Sequence, residues 1–575
     1  MIKNEKKTNW LISLAVNAVI LIAILMTTHM VYETNDDFAI ASRIVDGYPE
    51  TTFVNYYLCK IILLLQGMMP HMNAYVLFQI AASFIAFVCF YKIVLDGTGS
   101  RVIHCATALC IAVFSIDHYC TIQFTKTAAL LSAAGLLVIV DCITKKRCVG
   151  YLILGTLLLY TGAAFRVDGL IACIGFTGLY GLYWLFINRK RLINDGYFTA
   201  GRIILYVVIV ALVGGCYAFD NMSVKANQRT PELAAFWDYT MDRSEVIDFP
   251  VYDNYDDHRV EYEALGVNEN DMYLIDHWYL DYDGAATGDN LRAIKEIYKS
   301  DNKDSVSIKV VVKDFISGTL KSVKKLGFTG CHVILLCVIA VWMITALRPK
   351  HWLYIIATGG LAVCLYLAVY YMQRPAYRAF YSADICSILW LLYALANGYE
   401  TDAAGHSSKR KGALLVMGVC TMLISVLLMV PLHSKCEDSY NGVKGKIMPE
   451  ALAQYIADNN DSFFTFATSE KKMNQSYLTP WLAPDTGAEG NVIGTGSWGT
   501  TSPYVMDKLA VYEIRNPIKD LIDNSKAYYI GNKRISKLTE YYNKWYGGDG
   551  KQIYLEKTAE ISGYTIWAVK SIPAG

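Results

Sequence analysis

Long apolar runs constrain the fold of this 575-residue chain more than any other feature. A helix needs about 20 mostly apolar residues to cross a hydrocarbon core roughly 30 Å thick. The sequence predicts such helices over 10–30, 74–95, 102–116, 124–143, 151–165, 169–187, 202–219, 328–347, 352–371, 381–397 and 414–432. More spans follow the first run and it lacks a small-residue cleavage site, so we predict an uncleaved helix there. The chain is therefore predicted to be an α-helical polytopic membrane protein with about eleven transmembrane helices.

Basic residues in alternate connections predict the orientation. Lys and Arg of short loops stay on the cytoplasmic side of a membrane. Counted from a cytoplasmic amino terminus, every second turn is basic: Lys92 with Arg101; Lys145, Lys146 and Arg147; Arg189, Lys190 and Arg191; Arg348 with Lys350; and Lys409, Arg410 and Lys411. The pattern predicts a multi-pass protein of the cell membrane with a cytoplasmic amino terminus and an extracytoplasmic carboxyl-terminal domain.

The spans divide the chain into four regions. We predict an N-terminal transmembrane module at 1–219 with a first outer loop at 31–73, an extracytoplasmic loop domain at 220–327, a C-terminal transmembrane module at 328–432 and an extracytoplasmic domain at 433–575. The tail alternates strand-like 463–467 and 527–530 with a helical pattern at 535–545 and a hairpin-like 552–570, which predicts a small α/β domain.

Charge and motifs exclude several functions. The chain has 52 Lys and Arg against 51 Asp and Glu, so no overall positive field indicates a nucleic-acid partner. It has no P-loop, no dinucleotide-binding glycine fingerprint and no nucleophile elbow, which argues against direct use of cytoplasmic nucleotide substrates. The glycine-rich segment 494–499 is interpreted as a turn in the tail.

An acidic cluster directly follows the first span. Asp36 and Asp37 are adjacent within the segment 32–38, at the predicted outer surface. Two neighbouring carboxylates can share a divalent cation, or one of them can act as a general base. The alternative is a solvated helix end whose Asn and Asp residues cap a short helix.

Other ionisable residues fall in the remaining outer turns. Asp117 and His118 could reach a metal or a phosphate, and Lys126 stands at the outer start of the next span, where it could instead extend to the interface. The candidates from two later turns are Arg166 with Asp168, and Arg374 with Arg378. The first of these pairs could be purely structural, whereas the two late arginines, four residues apart on one helix face, could anchor the interface.

Taken together, these turns place an acidic pair and several cations at one membrane face. Fixed cations suit the phosphate of a lipid-linked substrate, and a carboxylate suits deprotonation of an attacking hydroxyl. We therefore predict Asp36 and Asp37 as catalytic candidates and Lys126, Arg166, Arg374 and Arg378 as phosphate-binding candidates. The supporting residues are Asp117, His118 and Asp168, and the metal-ligand candidates are Asp37, Asp117 and His118.

With these motifs the chain resembles the GT-C superfamily of polytopic glycosyltransferases, which use lipid-phosphate-linked sugars. The resemblance rests on 34–38 directly after a span, on 165–169, on the arginine-bearing turn 373–378 and on the layout of spans, outer loop and tail. It implies that an acidic residue of the first outer loop, here Asp36 or Asp37, acts as the base or helps to hold a divalent cation such as Mg²⁺ or Mn²⁺. The chain is also similar to uncharacterised polytopic proteins of bacterial surface-polysaccharide loci.

Four functions remain open from the sequence. The first is inverting transfer of a sugar from a polyprenyl-phosphate-linked donor, among the membrane lipids, to a cell-surface glycan, glycolipid or protein acceptor. The second is a polysaccharide polymerase or ligase, which needs no acidic pair after the first span. The third is a lipid-linked saccharide transporter or flippase, although the spans are largely free of central charge and show no repeat. The fourth is a sensor or scaffold, in which the charges at the helix ends would be dispensable.

Overall fold

The computed structural model describes most of the chain. The described residues are 2–145, 147–194, 200–249, 251–302, 307–401, 407–468, 470, 473–487, 490–548 and 550–573. Lys146 of the second basic turn lies outside them.

The first half of the fold is helical with two very short strands. Its elements are α1 (Ile2–Thr27), β1 (Val31–Tyr32), α2 (Asn35–Val45), α3 (Tyr56–Met68), α4 (Ala74–Leu95), α5 (Arg101–Cys120), β2 (Thr121–Ile122), α6 (Phe124–Thr144), α7 (Val149–Phe165), α8 (Asp168–Asn194) and α9 (Ala200–Asn227). A helical segment follows with α10 (Pro231–Ile247), α11 (Arg259–Ala264), α12 (Glu269–Asp276), α13 (Gly288–Asn302) and α14 (Ile308–Lys324).

The second half returns to the membrane and then forms a mixed domain. The helices are α15 (Phe328–Ala346), α16 (Trp352–Tyr371), α17 (Tyr377–Thr401) and α18 (Ser408–Lys444). The tail contains α19 (Glu450–Asp458), β3 (Phe463–Phe466), β4 (Val492–Gly494), α20 (Pro503–Ala510), β5 (Ala527–Ile530), α21 (Ile535–Tyr546), β6 (Lys551–Ile561) and β7 (Tyr564–Pro573).

Ten of the described helices are long and apolar enough to cross a membrane. The prediction of an α-helical polytopic membrane protein is therefore confirmed. The difference from eleven is α7, whose 17 residues lie at the lower limit for a span. The helix α18 has 37 residues and continues past Pro431 to Lys444. The sequence prediction ends at residue 432 because the last turns of this helix are polar.

The spans α6 and α17 form the centre of the helical bundle, and most of their side chains are buried. Small residues let α7 approach α6 closely: a Cβ at Gly135 or Gly162 would overlap backbone atoms of the facing helix. Close packing through small residues is the usual way for helices to associate in a membrane. The contact fixes the end of α7, and with it the position of the Arg166 backbone.

The tail is an α/β domain built on one sheet, as predicted. Five strands lie in the order β4-β3-β5-β7-β6, with β3 parallel to β4 and β5, and with β7 antiparallel to β5 and β6. The segment from α10 to α14, residues 231–324, is called the loop segment below. It shares a core with the tail, in which the buried Asp281 accepts hydrogen bonds from Asn516 at 2.6 Å, Tyr541 at 2.9 Å and Tyr546 at 2.6 Å. The two soluble segments therefore pack together and cover one end of the helical bundle.

Candidate functional site

A two-residue parallel strand pair brings the chain after α1 beside the α5–α6 turn. Val31 pairs with Thr121 and Tyr32 pairs with Ile122. The Glu33 amide then donates to the carbonyl oxygen of Ile122 at 3.0 Å. This pairing places the acidic segment against the start of α6, where Lys126 lies.

Lys126 is fully buried between two carboxylates. Its Nζ lies 3.0 Å from Oδ1 of Asp117 and 3.1 Å from Oε2 of Glu33, and it donates to Thr121 at 2.6 Å. Tyr377 donates a further hydrogen bond to Asp117. The ammonium predicted to contact a phosphate is therefore engaged by protein groups, in a cluster that ties β1, α5, α6 and α17 together.

Lys126→Met is expected to lower the free energy of unfolding by about 3–5 kcal/mol, because it leaves Glu33 and Asp117 without their cation in a buried site. The readout is the thermal melting of the detergent-purified chain, with Lys60→Met at an exposed cation of α3 as the matched control. Adding Asp117→Asn and Glu33→Gln should restore part of the loss. An unchanged melting temperature with weaker donor binding would instead assign Lys126 to the phosphate.

His118 uses both ring nitrogens within the bundle. Nε2 lies 2.7 Å from the Ser83 hydroxyl and Nδ1 lies 2.9 Å from the Tyr381 hydroxyl. The described residues hold no group of three or more His, Cys, Asp or Glu side chains placed to bind a metal ion. Asp37, Asp117 and His118 each bond to other protein groups, so these three residues do not fit one shared cation. Dependence of the protein on a divalent cation stays a prediction without assigned ligands.

The adjacent Asp36 and Asp37 point in different directions. Successive residues on a helix are about 100° apart, so one face of α2 packs on the bundle while the other stays accessible. Asp37 is fully buried, and its Oδ1 accepts from Tyr75 at 2.9 Å, from Gln79 at 3.3 Å and from the Phe124 amide at 3.1 Å. Asp37 therefore anchors α2 to α4 and to the start of α6.

Burial raises the pKa of Asp37 to about 8, so this carboxyl is protonated at neutral pH. The unfolded chain loses this proton above pH ~3.8 whereas the folded chain keeps it, so stability falls as pH rises from about 4 towards 8 and levels off above. Asp37→Asn stays neutral at every pH. At pH 8 this variant is expected to have a larger free energy of unfolding than the native protein, by on the order of a few kcal/mol, and a higher melting temperature. At pH 5 the difference between the two proteins should be smaller.

The test follows the melting temperature of both proteins from pH 5 to pH 9. The matched control is Asp438→Asn, at a surface carboxylate that is 62% exposed, which should keep the native pH dependence. An equal pH dependence in the native protein and in Asp37→Asn would show that Asp37 is charged when folded.

Asp36 is half-buried and accessible from a cavity, with Thr34 donating to its Oδ2 at 3.4 Å. Burial raises the pKa of Asp36, while the nearby Arg378 and Arg166 oppose that rise. Burial lowers the pKa of the Arg243 guanidinium in α10, and Asp248, Tyr239 and Asp36 oppose that lowering, so Arg243 also lies within electrostatic reach of Asp36. Asp36 is thus a carboxylate among three arginines from α17, from the α7–α8 turn and from the loop segment.

The arginines differ in how far protein groups already satisfy them. The Nε of Arg166 lies 3.2 Å from Oδ2 of the exposed Asp168, and Arg374 forms an ion pair with Asp248 at 3.0 Å. In contrast, the side chain of Arg378 forms no hydrogen bond or ion pair with any described residue. Arg243 is buried, and its Nε has no hydrogen-bond partner in the described part of the chain. Such cations can accept an anionic ligand without first breaking an ion pair.

A cavity of about 350 Å³ opens beside Asp36, between α2, the loop segment and the tail. Every described residue of the lining lies outside the candidate spans. The aromatic members of the lining are Phe38, Trp278, Tyr477, Trp498 and Tyr504, and its uncharged polar members include Asn35, Ser42, Thr468, Asn474, Thr486 and Ser497. A pocket of this volume with several convergent polar groups suits a small polar ligand.

No protein-family model matches this chain, and no curated protein matches it. A solved structure, apo ArnT from Cupriavidus metallidurans, is similar along 99% of this chain and 98% of that chain, with 12% sequence identity and a TM-score of 0.36.

Sequence reasoning missed three residues of this site. Glu33 pairs with Lys126, but only the strand pair β1–β2 shows that they meet. Arg243 and Trp278 belong to the loop segment, whose sequence contains no motif that would connect them with Asp36. The glycine-rich segment 494–499 does turn, and most of its residues also line the cavity.

A second pair of ionisable groups lies inside the spans. His332 of α15 and Asp384 of α17 are fully buried, with Nδ1 to Oδ2 at 3.7 Å, and Tyr366 donates to both Asp384 oxygens at 2.9 Å. Asp384 is the eighth residue of its helix, roughly 10 Å from the end that carries Arg378. The spans therefore contain buried ionisable groups near the end of α17 that carries Arg378. The sequence, in contrast, predicts spans largely free of central charge.

Proposed function

We propose that this protein transfers a sugar from a polyprenyl-phosphate-linked donor to a hydroxyl of a cell-surface acceptor. One observation carries the proposal: Asp36, an accessible carboxylate, stands between a group of arginines near the membrane end and a polar, aromatic cavity outside it. A carboxylate beside fixed cations supplies the two things that glycosyl transfer from a phosphate needs, a base and charge stabilisation on the leaving group.

The reaction proposed is one direct displacement. The acceptor oxygen forms a bond to the anomeric carbon as the bond from that carbon to the phosphate oxygen breaks, which inverts the configuration. Asp36 takes the proton of the acceptor hydroxyl. Burial raises the pKa of Asp36, which makes it a better base than an exposed carboxylate. Asp37, neutral at the same pH, holds α2 in place.

Arg378 is the first choice for the leaving phosphate. It has no ion-pair partner among the described residues and lies at the start of α17, which is one of the candidate spans. A donor anchored in the membrane by its polyprenyl chain would bring its phosphate to this level. Arg166 and Arg243 add positive charge around Asp36. Guanidinium groups suit phosphate because they bind it with two parallel hydrogen bonds.

The charge pattern supports the proposal that the site lies on the outer face of the membrane. The basic turns predicted to be cytoplasmic lie at the opposite ends of the helices from Asp36; for example, Arg147 pairs with Asp96 at 2.6 Å in the connection before α7. Cytoplasmic loops carry the excess of Lys and Arg. We therefore place Asp36, the cavity and the tail outside the cell.

The experiment compares cells that lack the gene with cells that carry the native protein or Asp36→Asn at matched membrane abundance. The proposal predicts loss of one sugar substituent from envelope glycans and accumulation of the corresponding lipid-linked sugar, both in the deletion and with Asp36→Asn. A change in glycan chain length alone would favour a polymerase or ligase. If the glycans are altered in the deletion but unchanged with Asp36→Asn, the result would favour the transporter function over the transferase.

A further inference from the structure

One tryptophan in the cavity wall has an unusual backbone. Trp278 follows α12 and has a φ of 66°, in the left-handed region that bulky residues seldom adopt. Conformations of this kind cost about 1–3 kcal/mol and persist only where the surroundings enforce them. Strain of this size at a cavity wall calls for a reason in what the side chain does there.

The tail enforces the position of Trp278. Thr495 donates through its hydroxyl to the Trp278 carbonyl at 3.0 Å, and its own carbonyl accepts from the Leu280 amide at 3.1 Å. A Cβ at position 496 would overlap the Trp278 carbonyl oxygen, so only glycine allows this approach. The glycine-rich segment of the tail thus clamps the loop segment at the residue that lines the cavity.

The ring of Trp278 is also held from within the protein. The Arg243 guanidinium lies 5.0 Å from the centroid of the ring, within the range of a cation–π contact. Trp278 is partly exposed and lines the cavity, whereas Trp498 is 8% exposed and is packed against Arg43 at 4.2 Å and Phe53 at 5.0 Å. Of these two tryptophans, Trp278 presents the accessible aromatic surface.

We propose that Trp278 is the stacking platform of an acceptor-saccharide subsite, with its sugar ring held between the loop segment and the tail and one hydroxyl turned towards Asp36. This inference rests on the proposed function. A sugar ring combines an apolar C–H surface with a rim of hydroxyls, and the cavity matches it with an aromatic surface and with Thr468, Asn474 and Ser497 as hydrogen-bonding groups.

The charges of the cavity favour a saccharide over an anionic ligand. The two cations among the described lining residues are already engaged: Lys508 pairs with Asp46 at 2.9 Å, and Arg43 donates to Ser502 at 3.0 Å and to the Glu50 carbonyl at 3.1 Å. The remaining charged residues in the described part of the lining are carboxylates, Asp36 and Asp485. A lipid chain is disfavoured as well, because none of the wall residues that the structure describes belongs to a candidate span.

The test measures binding of free saccharides to the full chain in nanodiscs by saturation-transfer-difference NMR. The probes are glucose, galactose, rhamnose and N-acetylglucosamine, each added alone. We expect at least one probe to bind the native protein, roughly tenfold weaker binding for Trp278→Ala, and binding close to the native value for Trp278→Phe, since loss of an aromatic contact costs affinity that another ring restores. The matched control is Trp481→Ala, at a tail tryptophan that is 41% exposed and is not among the described residues lining the cavity.

The outcomes separate the subsite from the proposed function. Binding by no probe, or equal binding by the native protein and Trp278→Ala, would overturn the subsite. Should Trp278→Ala fail to fold, Trp278→Phe together with Trp278→Leu decides, because only the aromatic replacement should keep binding. Asp36→Asn should keep saccharide binding while it loses sugar transfer. If this variant keeps both, Asp36 is not the general base, but the assignment of the saccharide subsite to Trp278 is unaffected.

Discussion

Asp36→Asn is expected to lower the rate of sugar transfer by about 100-fold or more, the usual contribution of a positioned general base. The carboxamide has nearly the same shape as the carboxylate but cannot accept the proton of the acceptor hydroxyl. Since Asp36 is half-buried at the cavity wall and does not anchor α2, the substitution should leave the fold intact. The loss should appear in kcat with little change in KM for the donor.

The lipid extract of cells lacking the gene supplies the donor for this measurement, because the proposal predicts that the donor accumulates there. Native protein and Asp36→Asn, both purified in detergent and shown to have the same melting temperature, are mixed with that extract and with envelope glycan from the same cells as acceptor. The rates of polyprenyl-phosphate release are then compared. Asp438→Asn at the surface serves as the control and should match the native rate. A native rate in Asp36→Asn would remove Asp36 from the chemistry.

Arg378→Ala is expected to lower transfer by roughly 100-fold, because removal of one preformed group that stabilises developing charge costs about that much. The matched comparison is Arg374→Ala, at an arginine four positions earlier that already pairs with Asp248 at 3.0 Å. Arg374→Ala should have a much smaller effect. Arg378→Lys should recover only part of the rate, since an ammonium cannot bind phosphate with two parallel hydrogen bonds.

The readout for the two arginines is the donor dependence of transfer with the same lipid extract. A phosphate contact made in both the ground state and the transition state raises KM, whereas one that strengthens in the transition state lowers kcat. Equal losses of activity in Arg374→Ala and Arg378→Ala would contradict a specific phosphate contact by Arg378, and would assign both effects to the general charge of the protein surface.

The membrane architecture could be predicted because hydropathy acts locally. Each span except α7 has enough apolar residues to be recognised without its neighbours, and the strands of the tail follow from short runs of aromatic and β-branched residues such as 463–466. The end of α18 was missed for the converse reason: its polar last turns continue the helix to Lys444 by packing and not by hydropathy.

The site could be predicted only in part, because its residues meet through tertiary contacts. The sequence indicates that Asp36 and Asp37 are near a membrane surface, but which of them packs on Tyr75 depends on how α2 lies on the bundle. Similarly, Lys126 looks like an interface cation until β1–β2 pairing brings Glu33 to it. Trp278 could not be inferred, since its role depends on a backbone conformation enforced by Thr495 and Gly496 from the tail.

The most direct test of the central claim is the glycan composition of cells carrying Asp36→Asn or Asp37→Asn at matched membrane abundance. The two substitutions are chemically identical and adjacent, yet one residue lines the cavity and the other is buried against the bundle. We predict that Asp36→Asn loses the sugar substituent and accumulates its lipid-linked donor, while Asp37→Asn keeps the native glycan. Loss of the substituent with Asp37→Asn and its retention with Asp36→Asn would contradict the account.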